Sequence, residues 1–179
     1  MQNQFLVGET IYLRPLEPSD AEMLAACNND PEVRLSFFTH TPTNLHQTAD
    51  RIRGFYGPGA DYLPFAICDR SDDVAFGVTA LHRLDLVSRA AVFSICITDP
   101  AFRGRGLAYP ATQLMMQYAF NVLNLNRVQL HVWTGNAAGL RVYEKAGFQR
   151  EGTLREAMRH DGKYCDFHVM GMLAMEWKP

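Results

Sequence analysis

The residues best suited to chemistry lie in a short, basic and glycine-rich turn, Arg103-Gly104-Arg105-Gly106. The turn follows an apolar segment and precedes a segment whose apolar residues have helical spacing. A helix N-terminus presents unpartnered backbone N–H groups and a partial positive charge, which together favour phosphate. Glycines let the backbone approach the oxygens, and arginines add charge-assisted hydrogen bonds. A solvated basic turn has the same composition, so both interpretations stay open on composition alone.

Two common nucleotide-binding motifs do not fit this turn. The dinucleotide fingerprint requires a glycine or alanine three residues after Gly106, where this chain has Tyr109. The mononucleotide loop requires Ser or Thr after Gly-Lys, whereas Gly162-Lys163 is followed by Tyr164. The turn therefore predicts a phosphate site outside these two nucleotide-binding families.

Alternating strands and helices must position this turn. Strands are predicted at residues 10–15, 62–68, 74–81, 90–98, 128–132 and 166–175, with another beginning at residue 148. Helices are predicted at residues 19–28, from residue 31, and at residues 45–56, 107–122 and 137–146. A capping box of Ser19 and Glu22 is expected to begin the first helix. Because such helices need a sheet to cover, the predicted class is α/β, or mixed α+β, in one domain over residues 1–179.

Length and composition indicate an ordinary folded protein. The chain has 179 residues, of which 47% are hydrophobic and 20% charged, and a formal net charge of -2 at pH 7. These values exclude intrinsic disorder and disfavour a nucleic-acid binder that relies on bulk positive charge. No apolar run reaches the roughly 18 residues of a membrane span. The cysteines, Cys27, Cys68, Cys96 and Cys165, lack paired spacing, which favours free thiols in a cytoplasmic protein.

The glycine-rich turn resembles a known signature. Arg103-x-x-Gly106-x-Ala108 is similar to the Arg/Gln-x-x-Gly-x-Gly/Ala motif of the GNAT superfamily of N-acetyltransferases. The opening at residues 11–20 and the tail at residues 152–166 resemble the subgroup of ribosomal-protein alanine and polyamine acetyltransferases.

A second segment joins the first motif at the distance that this superfamily has. It begins at Asn136, continues through Tyr143 and ends at Gly147-Phe148, which resembles the family's Asn-then-Tyr and Gly-Phe segment. The two motifs together are specific, and the resemblance covers nearly the whole chain.

The resemblance implies a V-shaped, mixed and mostly antiparallel sheet flanked by helices, with acetyl-coenzyme A as donor. It assigns the coenzyme A pyrophosphate to the turn and the helix start, at Arg103, Gly104, Arg105, Gly106, Leu107 and Ala108. In the family, the preceding strand carries a bulge, and the pantetheine arm forms hydrogen bonds with the backbone of that strand. In this chain we expect those bonds near Ile97 and Thr98. Asn136 is expected both to cap its helix and to contact the coenzyme.

Acetyl transfer to an amine needs an acid for the leaving thiolate and a base for the ammonium proton. The motif match favours Tyr143 as the acid and as a cofactor-binding residue, over a tyrosine that merely packs on the sheet. Many family members place a glutamate on a central strand, but residues 90–98 contain no acid. His82 and His131 are the candidate bases, with a structural histidine and an ordered water as the alternatives.

The sequence therefore predicts an acetyl-coenzyme A–dependent N-acetyltransferase that acts through a ternary complex. The predicted acceptor is a primary amine: a protein N-terminus, a polyamine or another small amine. A non-catalytic coenzyme A–binding module with the same fold is the alternative, because the strand carboxylate is missing. We expect no metal, since Cys165, His168 and His160 are too few for a well-spaced site. No nucleic-acid or membrane partner is expected, whereas the subgroup resemblance favours a homodimer.

Overall fold

The computed structural model describes residues 3–34, 37 and 40–178. Its strands are β1 (Leu6–Val7), β2 (Ile11–Pro15), β3 (Leu63–Asp69), β4 (Ala75–Asp85), β5 (Ala90–Ile97), β6 (Arg127–Trp133), β7 (Gln149–His160) and β8 (Lys163–Leu173). Its α-helices are α1 (Ala21–Asn29), α2 (Pro31–Arg34), α3 (Leu45–Arg53), α4 (Ala108–Gln117) and α5 (Ala137–Ala146). No helix in these described residues is long and apolar enough to cross a membrane.

The strands form a single mixed sheet in the order β1-β2-β3-β4-β5-β6-β8-β7. Neighbouring strands run antiparallel except β5 and β6, which are parallel. These two strands pair only from Ala90 opposite Arg127 to Val92 opposite Gln129, whereas β4 stays paired with β5 as far as Ile97. The sheet is therefore open between β5 and β6 over one end, which confirms the predicted V-shaped, mostly antiparallel architecture.

Helices cover both faces of the sheet. The alternation of β2 explains how, because Ile11 and Leu13 join the larger buried cluster with α4 and α5, whereas Tyr12 joins a smaller cluster with α1 and α3. All three side chains are fully buried. Because both faces of β2 are covered, successive apolar residues are all buried, which explains why the sequence of this strand alternates only weakly.

Two predicted helices differ at their ends. The helix predicted at residues 45–56 ends at Arg53, because Gly54 caps it with backbone bonds to Arg51 and Ile52. The helix predicted at residues 107–122 is α-helical from Ala108 to Gln117 and continues as a π-helical turn at Tyr118–Val122.

The predicted capping box of Ser19 and Glu22 is wrong, because Ser19 lies inside a 3-10 turn, Pro18–Asp20, and α1 begins only at Ala21. The Asp20 carboxylate accepts two bonds from the Arg14 guanidinium, at 2.7 and 2.8 Å, and a third from the Glu17 N–H at 2.8 Å. The side chains of Arg14 and Asp20 are each 7% exposed. This bidentate pair ties β2 to the turn that begins α1, so Asp20 rather than Ser19 precedes that helix.

We expect Asp20→Asn to destabilise the protein by about 3–5 kcal/mol, because the substitution leaves the Arg14 charge buried without its counter-charge. Urea unfolding at neutral pH measures this change. Asp50→Asn is the matched control, since Asp50 pairs with Arg53 at the surface, where its side chain is 75% exposed. The control should change the free energy of unfolding by less than about 1 kcal/mol. Equal effects of the two substitutions would contradict this account of the pair.

Candidate active site

Three adjoining cavities lie along β5 where it separates from β6. The turn cleft, about 590 Å³, lies between the basic turn and α5. The central cavity, about 570 Å³, lies over β5 and β6, and it shares Ile95, Asn136 and Tyr143 with the turn cleft. The α1 cavity, about 320 Å³, lies beneath α1 and shares His82 and Ser94 with the central cavity. Two ligands that enter from opposite ends can therefore meet near the middle of β5.

The turn that leads into α4 leaves its backbone donors free. Gly104 and Gly106 have φ values of 75° and 78°, a conformation that only glycine adopts at low cost, and a Cβ at either would meet no atom within 4 Å. In the described part of the chain, the N–H groups of residues 104–108 donate no hydrogen bond. Pro110 fits here because it lies in the first turn of α4, where an N–H would lack a partner. The turn is thus a row of open donors at a helix N-terminus, as the phosphate interpretation requires.

The Arg103 guanidinium is held by the protein itself. It contacts Asp30 at 3.2 Å and Glu32 at 3.1 Å, and its Nε donates to the Ile97 carbonyl at 3.1 Å. A further bond reaches the Thr98 carbonyl at 3.3 Å. The side chain therefore fastens α2 to the end of β5, and the sequence signalled none of this because the two acidic partners lie about 70 positions away along the chain.

Two other predicted cofactor residues do not line the turn cleft. The hydroxyl and the N–H of Thr98 both donate to the Phe76 carbonyl, each at 2.9 Å. The Arg105 guanidinium lies over the Phe102 ring, 4.8 Å from its centroid. The other predicted cofactor residues do line it, namely Ile97, Arg103, Gly104, Gly106, Leu107, Ala108, Asn136 and Tyr143.

Two cationic side chains of α5, which the sequence motifs did not predict as cofactor residues, face the turn. Arg141 and Lys145 both line the turn cleft, and the Lys145 ammonium lies 4.1 Å from the centroid of the Tyr109 ring. Residues four positions apart share a helix face, so their spacing on the predicted helix was the signal that could have identified them. They place positive charge opposite the free N–H groups.

Tyr143 lies where the turn cleft meets the central cavity. The first turn of its helix is fixed by Asn136, whose side-chain oxygen accepts from the Gly139 N–H at 2.9 Å. The ring packs edge-on against Phe93 and Phe148, and no hydrogen bond to its hydroxyl is present among the described residues. Burial raises the pKa of the phenol well above its usual value, so it stays protonated at neutral pH.

The two candidate bases occupy different positions along the opening. His82 lies between the central and α1 cavities, with its Nε2 2.5 Å from the Ser94 hydroxyl on β5. His131 lines the central cavity and neither of the other two. Burial lowers the pKa of both histidines, and the positive charge of Arg83 lowers each further. Both are therefore neutral at pH 7 and able to accept a proton.

The family resemblance implied a bulge on β5, the strand before the turn, but the extra residue in the pairing of β4 with β5 lies on β4. Register shifts between His82 and Asp85, and Arg83 has a φ of 49°. A bulge re-aims the side chains beside it. Here it turns Arg83 into the lining of the central cavity, next to His82.

Comparison with known proteins gives this geometry its context. Residues 10–149 match the model of the family described as acetyltransferase (GNAT) domain. The Bacillus subtilis protein named ribosomal N-acetyltransferase YdaF is 33% identical over 180 residues, covering 96% of both chains. The Escherichia coli L-amino acid N-acetyltransferase AaaT is 28% identical, over 89% of this chain and 96% of its own.

A solved structure agrees with these matches. The spermidine N-acetyltransferase of Vibrio cholerae, in complex with coenzyme A and spermine, superposes with a TM-score of 0.87 at 25% identity. The superposition covers 94% of this chain and 98% of that one. The family match spans most of the chain, and the relatives match it nearly end to end. The chain therefore belongs to the GNAT family of acetyltransferases.

Proposed function

We propose that this protein moves the acetyl group of acetyl-coenzyme A directly to a primary amine, with donor and acceptor bound together. One observation carries the proposal: the row of free N–H groups at residues 104–108 and the Tyr143 ring border the same cleft. A ligand with a diphosphate at one end and a reacting group at the other fits that arrangement. The family membership supports acetyl-coenzyme A as this ligand.

The donor's diphosphate would bind the N–H groups of residues 104–108, with the charges of Arg141 and Lys145 opposite. Arg103 contributes its backbone and the shape of the turn, because its guanidinium already binds Asp30 and Glu32. The arm of the donor would lie along β5, where residues 93–97 have lost their β6 partners. Alternate backbone groups of an unpaired strand edge point outward, so this stretch can pair with an extended ligand.

Proton transfer would involve one group on each side of the reacting carbon. His82, neutral because of its burial, accepts the proton of the attacking ammonium. The amine nitrogen then bonds to the acetyl carbon, the carbon–sulfur bond breaks, and the Tyr143 hydroxyl donates its proton to the departing thiolate. The nitrogen loses its second proton as the amide forms, and that proton restores the Tyr143 phenol. We assign the base to His82 rather than His131 because His82 borders both the central cavity and the α1 cavity.

The acceptor would enter through the α1 cavity, whose chemistry limits the choice of amine. The described lining of the α1 and central cavities includes Arg51 and Arg83 and no carboxylate. Neither guanidinium has an ion-pair partner among the described residues. Asp61 contributes a weaker, opposing field at His82. A polyamine would meet like charge there, so we assign the acceptor to α-amines that carry a carboxylate or peptide carbonyl for Arg51.

Polyamine acetylation is the second candidate, favoured by the spermidine enzyme among the similar structures. The non-catalytic coenzyme A–binding module predicts binding without turnover, and any robust turnover rejects it. The homodimer and the cytoplasmic location stay predictions.

We expect the protein to acetylate L-amino acids or an alanyl peptide with a kcat/KM at least about tenfold above that for spermidine, or about 1.4 kcal/mol. Coenzyme A release measures the rates. Arg51→Gln should abolish this preference. Arg53→Gln, on the same helix but paired with Asp50 at the surface, should retain it. Spermidine as the better substrate would refute the acceptor assignment, and no turnover with any amine would refute the enzyme itself.

Tyr143→Phe should lower kcat by about 100-fold, because a general acid contributes on that order. Calorimetry should give an almost unchanged Kd for acetyl-coenzyme A, since the ring is kept. Tyr118→Phe loses the same hydroxyl from a buried tyrosine that borders none of the three cavities, and it should keep its rate. An undiminished rate in Tyr143→Phe removes Tyr143 from the mechanism.

The pH profile of kcat/KM should fall on its acid side with an apparent pKa below the ordinary histidine value of about 6.5. The sign follows from His82, whose lowered pKa keeps it neutral until the pH drops through that value and protonation removes the base. His82→Gln should lower the plateau and abolish this acid limb, whereas His131→Gln should keep the limb. The opposite pattern would assign the base to His131.

A further inference from the structure

Two cysteines from distant parts of the chain meet beside the proposed reaction centre. The Sγ atoms of Cys27, on α1, and Cys96, on β5, lie 3.1 Å apart. Cys27 is 5% exposed and Cys96 is 8% exposed. The remaining cysteines lie elsewhere, with Cys68 in the smaller core cluster and Cys165 on β8. All four are free thiols.

Small molecules can reach this thiol pair through the cavities. Both cysteines line the α1 cavity, and Cys96 also lines the turn cleft. The pair therefore forms part of the wall between the two proposed substrate sites. An oxidant the size of a peroxide needs no unfolding to arrive there.

The surroundings make the two thiols unequal. The hydrogen bond between the two sulfur atoms lowers the pKa of the Cys27 thiol, and the positive charge of Arg103 lowers it further, against burial and the charge of Asp30. The same pairing and burial raise the pKa of Cys96. The thiolate is the reactive form of cysteine, so Cys27 is the first nucleophile and Cys96 the resolving thiol.

We propose that Cys27 and Cys96 are a peroxide-reactive pair that closes reversibly into a disulfide. The Cys27 thiolate attacks the terminal oxygen of a hydroperoxide, which forms a sulfenic acid and releases an alcohol, or water from hydrogen peroxide. The Cys96 sulfur then attacks the Cys27 sulfur, forming the disulfide and expelling water. Two thiols are oxidised by two electrons in all, and the oxygen–oxygen bond is reduced.

Closure requires only a small movement. A disulfide has a sulfur–sulfur distance of about 2.05 Å, so the sulfur atoms must approach by roughly 1 Å. That approach draws α1 towards β5 and narrows the α1 cavity that both residues line. The expected consequence is weaker amine binding, which rests on the proposed function, whereas disulfide formation itself does not.

The chemical test uses the whole protein treated with hydrogen peroxide, then denatured and alkylated. Two of the four thiols should become resistant to alkylation, the mass should fall by two hydrogens, and peptide mapping should join residues 27 and 96. Dithiothreitol should restore all four. In Cys27→Ser and in Cys27→Ala, all remaining thiols should stay open to alkylation after peroxide treatment. In Cys165→Ser, which removes a cysteine outside the pair, the disulfide between residues 27 and 96 should still form.

The proposal is overturned if all four thiols stay alkylatable, if the map joins other cysteines, or if Cys27 and Cys96 oxidise separately to sulfinic acids. For the functional arm, oxidised wild type should show a kcat/KM for the amine about tenfold below its reduced form, since displacements near 1 Å can cost more than this. Cys27→Ser should show no such difference between its own treated and untreated samples. A disulfide without an activity change refutes only the coupling, and the thiol count stands even if no amine is ever acetylated.

Discussion

β5 and β6 stop pairing after Val92 and Gln129, and the whole site depends on that break. A continuous sheet would have filled this space with strand-to-strand hydrogen bonds. The break leaves an unpaired strand edge that borders the turn cleft and the central cavity. An extended ligand can take the place of the missing strand there. In the proposed function, donor binding and the fold are therefore linked through one segment, residues 93–97.

Each wall of the opening has its own chemistry. The turn before α4 contributes free N–H groups, and α5 contributes Arg141 and Lys145 together with the Tyr143 hydroxyl. At the other end, Arg51 and the neutral His82 line a cavity without carboxylates in its described part. Both ends of the opening therefore present cationic groups, which the proposed function assigns to the diphosphate of the donor at one end and to a carboxylate or peptide carbonyl of the acceptor at the other.

Features that depend on residues close together along the chain could be predicted from the sequence. The open turn at Gly104 and Gly106, the cap at Asn136 and the alternation of β2 follow from residues a few positions apart. The Arg103 contacts with Asp30 and Glu32 and the meeting of Cys27 with Cys96 join residues about 70 positions apart, so no local pattern could reveal them. The same limit applies to the bulge at Arg83, which depends on how two strands pair. Residue types predicted the donor chemistry. Tertiary contacts decided which arginine side chain faces the turn cleft without an ion-pair partner among the described residues, and that residue is Arg141.

The central claim is that backbone N–H groups at the start of α4 bind the donor's diphosphate. Backbone amide NMR of the 15N-labelled protein, titrated with coenzyme A, tests it most directly. The account predicts that the amides of Gly104 and Gly106 shift and saturate with the occupancy measured by calorimetry. Pantetheine, which lacks the diphosphate, should leave the chemical shifts of both amides unchanged. Coenzyme A binding that does not move the amides of Gly104 and Gly106 would contradict the account.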